Sequence, residues 1–461
     1  MHRRAVGAAS GLMGSGLLRL GCVVALLGAG SIAVGTALAA DIGYGATLGV
    51  GTSDNIRRTE TSPDSDSIGQ VGVNFSVYQE TRRLKADVGG DFSWLDYFDN
   101  TFNDEVVGSF LGNVTLGIVP ERFEWLFSDS FGQTTIQPFA VVTPENRENV
   151  NYFTTGPTLT FGLGASNRVK LNAHYSKVTY EDTPLDNDRT GGGLSFVHDL
   201  SGVSSISLNA DTDQIDFDDN TLNTDFDKAE GYLRFSGSGV RTQLGVDLGY
   251  TQVKPDGGKT SSGLLARLNI TRRISQSSTF GILLGREISD AGDIFRQLQN
   301  LQSTQASTQP VQLSNDPFTS QYGTLSWNFA RNRTGFGLSL SRFEEDYDSD
   351  TSLNRTRTVI GADAHRQLTP NLDFRVSATQ DRERYDANST QDFDELYATA
   401  TLAWAFGRHF SLNLQYERFD RSSDLAGGDY VENRGWIRLL YSGGTTHQRS
   451  GTLPMNTGSY R

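Results

Sequence analysis

Residues 396–417 read LYATATLAWAFGRHFSLNLQYE, and the pattern in this stretch decides the fold. Apolar side chains occupy every second position from Leu396 to Phe406 and again from Phe410 to Tyr416. A period of two places alternate side chains on opposite faces of a β-strand. Gly407 and Arg408 separate the two segments and predict a short turn, so the stretch predicts a β-hairpin.

The same alternation recurs along the chain from Ile42 onward, and no helical period of useful length interrupts it. Further clear examples are residues 71–77, 169–175, 244–250 and 264–271. Very short polar turns alternate with longer loops that are acidic and rich in Gly, Asn and Ser. This layout predicts about 18–20 strands of about 10–14 residues, the size range of large membrane barrels.

The first forty residues have the features of a targeting segment. They contain no Asp or Glu, carry Arg3 and Arg4, and include an apolar run over Leu20–Val34. The run ends in Ala37-Leu38-Ala39-Ala40, an A-x-A cleavage pattern. We therefore predict a bacterial signal peptide at 1–40. The alternative, a membrane anchor, fits less well because the run is short and rich in Gly and Ala.

Composition limits the classes of function. The chain has 461 residues, 54 acidic against 40 basic, a net charge of −14 and one cysteine, Cys22, inside the predicted signal peptide. The acidic balance argues against nucleic acid as a partner. A mean hydropathy of −0.39 is incompatible with a bundle of transmembrane helices. Without cysteine, the mature chain has no disulfides or thiolate ligands.

These features together predict an all-β protein: a single transmembrane antiparallel β-barrel in the outer membrane, with short periplasmic turns and long extracellular loops. The barrel is expected over 41–441, followed by a polar, flexible periplasmic tail over 442–461. The alternative is a soluble secreted propeller or sandwich. Aromatic residues near strand ends are expected to form girdles at the membrane interfaces; they are Trp94, Tyr97, Phe98, Trp125, Phe127, Tyr152, Phe153, Tyr180, Tyr250, Trp327 and Trp404.

Motifs for catalysis or cofactor binding are missing from the sequence. There is no H-E-x-x-H, G-x-S-x-G or P-loop pattern, and the six histidines are isolated. The acidic stretch 211–220 lacks the glycine and terminal glutamate of an EF-hand loop, so we interpret it as a solvated loop rather than a calcium site. We expect no enzymatic activity, no metal and no cofactor.

The polar face of the strands provides the candidate functional residues. By alternation, the lumen is expected to receive Lys85, Asp87, Lys170, His174, Asp211, Arg234, Asp247, Arg267, Asp373, Arg375 and Glu417. Interspersed charges with many hydroxyl and amide groups suit a neutral hydrophilic solute or polymer. The alternative is that these charges simply pair across neighbouring strands. The loops around 139–152 and 290–317 are long enough to fold into the pore and constrict it.

The mature N-terminus opens with the strand Tyr44–Ile56 and an acidic loop, and Glu124–Gln133 reads EWLFSDSFGQ. This order resembles the outer-membrane barrels of the beta-barrel porin 2-like family, which accompany exopolysaccharide gene clusters and the exosortase (PEP-CTERM) sorting system. The resemblance implies an outer-membrane location and a link to exopolysaccharide secretion. It supplies no functional residues.

The sequence therefore favours a conduit for exopolysaccharide secretion. One alternative is a general diffusion porin for small hydrophilic solutes. Another is a non-transporting surface barrel that binds matrix through its loops. The expected partners are outer-membrane lipid, the barrel assembly machinery, a polysaccharide polymer and periplasmic export proteins.

Overall fold

The computed structural model describes residues 40–301, 313–387 and 389–444. From Asp41 onward these residues belong to one compact unit. The predicted signal peptide, apart from Ala40, and the predicted tail beyond Gly444 lie outside the described residues. The boundaries predicted for those two segments therefore remain predictions.

Twenty strands and one α-helix account for most of the described chain. The strands are β1 (Asp41–Ser53), β2 (Asp66–Glu80), β3 (Leu84–Tyr97), β4 (Glu105–Val119), β5 (Phe123–Thr135), β6 (Arg147–Gly162), β7 (Asn167–Tyr180), β8 (Asn187–Ser201), β9 (Ser204–Phe217), β10 (Phe226–Ser238), β11 (Thr242–Pro255), β12 (Ser261–Ser275), β13 (Ser278–Ser289), β14 (Phe318–Arg331), β15 (Thr334–Tyr347), β16 (Arg355–Thr369), β17 (Leu372–Tyr385), β18 (Phe393–Phe406), β19 (Phe410–Ser423) and β20 (Tyr430–Gly444). The helix α1 (Ala291–Leu301) lies between β13 and β14.

The strands form one closed antiparallel barrel. Each pairs with its neighbours in sequence, and β1 pairs with β20 over Gly43–Ser53 and Arg434–Gly444. Closure gives every strand two hydrogen-bonded neighbours and leaves no edge, which is the condition for a sheet to exist in lipid. The predicted all-β barrel is thus confirmed, with twenty strands, the upper value of the predicted range. The last strand, β20, continues to Gly444 rather than ending at the predicted Tyr441.

Connections alternate between tight turns at one end and longer loops at the other. The turn between β18 and β19 has Gly407 at φ +74°, a left-handed conformation that glycine adopts without a steric penalty. Both ends of the described barrel chain lie at the short-turn end, because an even number of strands returns the chain to its starting side.

The outer face carries an apolar belt. Leu48, Leu208 and Leu248 are 60%, 63% and 56% exposed, and the strand register places them all on the side away from the lumen. Large exposed aliphatic side chains around the whole circumference are unfavourable in water and match a surface that contacts lipid. The protein is an outer-membrane β-barrel that sits in membrane lipid.

Aromatic side chains divide between the belt and the interior. Trp94 and Trp404 are exposed on the outer face, as expected for interfacial girdles. Tyr97, Tyr152 and Tyr180 are instead buried in clusters inside the long-loop end, so their assignment to the girdles was wrong. They are on the inward face by alternation, and loops cover them there.

Asp129 is an acidic side chain on the outer face at the centre of β5. The equivalent central position on the outer face of β11 is occupied by Leu248. Its Oδ1 is shielded from solvent and has no hydrogen-bond partner. Lipid-facing charges destabilise barrels most at mid-depth, so we expect Asp129→Leu to raise the free energy of unfolding by about 1–2 kcal/mol. Urea unfolding in lipid vesicles measures this value. The converse variant Leu248→Asp is the matched control and should be destabilised; a less stable Asp129→Leu barrel would contradict the expectation.

Among the described residues, α1 is the sole α-helix, and none of the helical segments there has the length and apolar character needed to cross a membrane.

Candidate functional site: the lumen and its constricted mouth

The half of the lumen near the short turns has a hydrophilic wall of small side chains. Alternation along β7 to β9 directs Lys170, Asn172, Ser195 and Asn209 inward. Elsewhere the same face carries mainly Ser, Thr, Asn and Gly, as on β14 and β15. Gly245 has open space where a side chain would project. This end of the lumen is therefore wide and lined with hydroxyl and amide groups.

All eleven predicted lumen residues are on the inward face. The strand register establishes which face each residue is on, because the side chains of directly paired residues lie on the same face of the sheet. The residues are Lys85, Asp87, Lys170, His174, Asp211, Arg234, Asp247, Arg267, Asp373, Arg375 and Glu417. Their contribution to transport stays a prediction.

Several of these residues pair with one another. Arg234 donates to both Asp247 carboxylate oxygens at 2.7 Å, and Arg267 lies 3.7 Å from the same carboxylate. His174 contacts Asp213 at 2.6 Å, and Arg375 lies 3.5 Å from Asp373. Pairing across neighbouring strands, the alternative interpretation of these charges, is therefore present for Arg234, Asp247 and Arg267 on β10 to β12, whereas Asp373 and Arg375 both lie on β17. Lys85, Lys170 and Glu417 are distributed over other parts of the wall.

Helix α1 lies against the inner wall at the long-loop end. Asp290 caps its N-terminus, because Oδ1 accepts from the backbone N–H groups of Gly292 and Asp293 at 2.9 and 3.1 Å. Ala291 and Phe295 pack into a buried cluster with apolar side chains of β6, β7, β9, β10, β11 and β13. The helix thus begins at a fixed point and covers the inward face of those strands.

Two buried ion pairs hold α1 to the wall. Arg189 on β8 donates to Asp290 at 2.6 Å, and Lys228 on β10 donates to Asp293 at 3.1 Å. Arg189 also lies 3.4 Å from Asp293. Through Glu230, Arg267 and Glu287 the charges continue along the wall to β13. We call Arg189, Lys228, Asp290 and Asp293 the helix latch.

The 136–146 loop reaches across the mouth. It connects β5 to β6, yet Phe139 packs edge-on against Tyr385 of β17 with ring centroids 5.0 Å apart. The Phe139 carbonyl accepts from Arg421 of β19 at 2.7 Å. Tyr385 and Arg421 are buried on the inward face, well around the wall from β5. The loop therefore lies inside the barrel rather than above it.

The 54–65 loop meets the 136–146 loop inside the mouth. Arg58 donates to the Val142 carbonyl at 2.7 Å and to Glu432 of β20 at 2.9 Å. Its guanidinium lies over the rings of Phe419 and Tyr430. Burial alone would lower the pKa of Arg58, but Tyr430, Glu432 and Glu395 raise it above its ordinary value, so the side chain stays charged. Of the two loops predicted to constrict the pore, 139–152 enters it through residues 139–146, and 290–317 enters it through helix α1; residues 302–312 lie outside the described part of the chain.

A further ion-pair network stiffens the wall between β15 and β17. Arg355 donates to Glu345 at 2.8 Å and lies 3.4 Å from Glu383. Arg357 contacts Asp381 and lies 3.4 Å from Glu383. These charges are buried, so each depends on its partner for compensation.

Sequence reasoning missed the residues that close the mouth and those of the ion-pair networks on the wall. Glu287, Arg355 and Arg357 follow the inward parity of their strands and could have been found by extending the alternation. Arg58, Asp290 and Asp293 lie in or next to connections without period, and no local signal marks them. Their role depends on contacts far along the chain.

Over residues 40–301, 313–387 and 389–444, no group of three or more His, Cys, Asp or Glu side chains is placed to hold a metal ion.

Asp293 gives the helix latch a defined pH dependence. Burial alone would raise the pKa of its carboxyl, but Lys228, Arg296 and Arg189 lower the pKa well below the ordinary value. A carboxylate with a depressed folded-state pKa stabilises the fold above its unfolded pKa, near 4, and loses that contribution only as pH falls through the folded pKa.

The helix latch is therefore expected to hold at pH 4 as well as at pH 8. Channel conductance of the wild-type barrel, recorded at both pH values, should stay low. Asp293→Asn, which lacks the charge at every pH, should conduct more at both. A rise in wild-type conductance between pH 5 and pH 4 that is missing in Asp293→Asn would show that Asp293 titrates normally.

Comparisons with known proteins give structural likeness only. No protein-family model matches the chain, and no curated protein matches it. The siderophore receptor PirA from Pseudomonas aeruginosa is similar in structure, with 11% identity, a TM-score of 0.45, and coverage of 88% of this chain and 81% of that chain. A ferric enterobactin receptor (PfeA) mutant from the same organism has 9% identity and a TM-score of 0.48, with the same coverage. The iron transporter FrpB from Neisseria meningitidis has 11% identity, a TM-score of 0.45, and coverage of 87% and 81%. At these values no activity is transferred to this chain.

Proposed function

We propose that this barrel is a gated conduit through the outer membrane, and that its cargo is a hydroxyl-rich polymer, an exopolysaccharide leaving the cell. The observation that carries the proposal is the asymmetry of the lumen. The short-turn end is wide and lined by hydroxyl and amide groups, whereas α1 and the 136–146 loop constrict the other end.

The chemistry of the wide end suits a sugar polymer. Ser, Thr and Asn side chains exchange hydrogen bonds with sugar hydroxyls individually, and no single strong site would hold the chain. Some charges in this region are paired, for example Arg234 with Asp247, which limits the net field that they present to a passing polymer. Weak contacts repeated along the wall are what movement of a polymer requires.

The constriction supports gating. A mouth held by buried ion pairs would exclude solutes at rest and open when those pairs are disrupted. The proposed direction, from periplasm to surface, follows from the wide entrance at the short-turn end. Periplasmic export proteins are the proposed partners at that end, and the barrel assembly machinery is the proposed route of insertion. We propose a passive role without enzymatic activity.

A general diffusion porin is the second candidate, favoured by the loop that folds into the lumen as a constriction. A porin would need a permanently open passage beside that loop. Conductance distinguishes the two functions, because a porin conducts steadily and a gated conduit conducts rarely.

The test is conductance of the mature protein in planar bilayers, with sugars titrated on the short-turn side. We expect rare openings that are blocked by long neutral oligosaccharides and not by glucose. Large steady currents indifferent to oligosaccharides would favour the porin. Silence, even after Asp290 and Asp293 are replaced by alanine to release α1, would favour a non-transporting surface barrel.

A further inference from the structure

A small cavity lies beneath the 54–65 and 136–146 loops, between them and the wall formed by β2, β3 and β18 to β20. It encloses about 70 Å³, several times the roughly 10–15 Å³ that one water molecule needs. Ile56, Val142 and Pro144 line it from the loops. It is separate from the polar wall at the short-turn end of the lumen.

The charged side chains that line the cavity are mainly cationic. Arg58, Arg147, Arg434 and Arg438 line the cavity, against one carboxylate, Glu395. Including the charges that pair with these residues or contact other lining side chains, the set has five arginines and four glutamates: Arg58, Arg147, Arg421, Arg434 and Arg438 with Glu105, Glu395, Glu417 and Glu432. The set is net positive in a shielded place where charge interactions are strong.

Trp436 supplies a second, independent observation. The residue lines the cavity and is only 6% exposed, yet its indole N–H has no hydrogen-bond partner. An indole N–H can only donate a hydrogen bond, so the partner that it lacks is an acceptor. The Arg438 guanidinium lies 4.2 Å from the centroid of the same ring.

Aromatic rings complete the lining. Tyr97, Tyr397 and Phe419 line the cavity together with Trp436. Aromatic faces accommodate the apolar faces of sugar rings, while arginines bind carboxylates with paired N–H groups. This combination differs from the neutral hydroxyl and amide wall at the short-turn end.

We propose that this cavity binds the carboxylate of an acidic sugar, a uronate unit of the transported polymer. The inference rests on the proposed conduit function and adds to it a substrate class. A bound carboxylate would balance the excess of arginine and accept from the Trp436 indole. It would also compete with the Val142 carbonyl for Arg58, the contact that holds the 136–146 loop.

Trp436 makes the proposal measurable without transport. It is the only tryptophan on the inward face of the described strands, since Trp94, Trp125, Trp327 and Trp404 are on the outer face by register. Titrating sodium glucuronate into the full-length mature barrel in detergent, at constant ionic strength, should change tryptophan fluorescence in a saturable way. Glucose should cause no change, and Trp436→Phe should abolish the response.

Arg147→Gln and Arg434→Gln should each raise the glucuronate concentration at half-saturation by about tenfold. This is the effect expected from the loss of a charge-assisted hydrogen bond. Arg357→Gln removes a buried arginine that does not line the cavity and is the matched control. Heat-modifiable migration on gels confirms that each variant is folded.

The proposal is overturned if glucose gives the same response, if glucuronate gives none, or if both cavity variants respond like Arg357→Gln. Block of the conductance by neutral oligosaccharides alongside any of these results would leave the conduit standing and remove only the uronate site. A saturable glucuronate response from a barrel that shows no conductance would leave the carboxylate-binding cavity standing and remove the conduit function.

Discussion

Replacing Asp290 and Asp293 together by alanine is expected to raise the conductance of the reconstituted barrel several-fold. The double change removes the N-cap of α1 and both carboxylates of the helix latch. It leaves Arg189 buried without its carboxylate partners and leaves Lys228 with Glu230 alone. Breaking a buried ion pair in this way costs about 3–5 kcal/mol, more than the docking of one short helix is expected to retain.

Single-channel recording measures this effect, and cells carrying the variant should become sensitive to large hydrophilic antibiotics. The matched control is the double change Asp256→Ala and Asp424→Ala, which removes two exposed loop carboxylates. It should leave conductance unchanged. If the helix-latch variant folds, migrates as a heat-modifiable barrel and still conducts like wild type, α1 does not gate the lumen.

Glu432→Ala is expected to give the largest loss of stability, about 3–5 kcal/mol in the free energy of unfolding, because it leaves buried arginines without their carboxylate. Glu432 is fully buried, accepts from Ser53 at 2.6 Å and from Arg58 at 2.9 Å, and contacts Arg434. These contacts join β20 to β1 and to the 54–65 loop. The variant should therefore also loosen the closure between the first and last strands.

Urea unfolding in vesicles provides the measurement, and Arg82→Ala is the control. Arg82 and Glu121 form an ion pair at 3.5 Å in which both side chains are 81% exposed, and exposed pairs contribute little. Adding Arg58→Met to Glu432→Ala should recover part of the lost stability, since an apolar side chain replaces the uncompensated charge. If Glu432→Ala is no less stable than Arg82→Ala, the buried network is not a main support of the closure.

The apolar and polar faces of the strands could be predicted from sequence because the side-chain period of a strand is local. Leu396, Ala398 and Trp404 share the outer face as their spacing predicted, and all eleven predicted lumen residues face inward. The strand number, twenty, is the upper value of the predicted range. It could be predicted for the same reason, since each turn and loop has a local sequence signal.

The alternation of apolar and polar residues, with the order of short turns and long loops, by itself determined an outer-membrane barrel and the inward or outward face of each strand position. Tertiary structure alone decided that α1 and two loops enter the mouth, that Tyr97, Tyr152 and Tyr180 are buried there, and that four arginines surround one cavity. The physical reason is range. The face on which a strand side chain lies follows from residues two positions apart. Arg58 contacts Glu432 only once the twenty strands have formed a closed barrel.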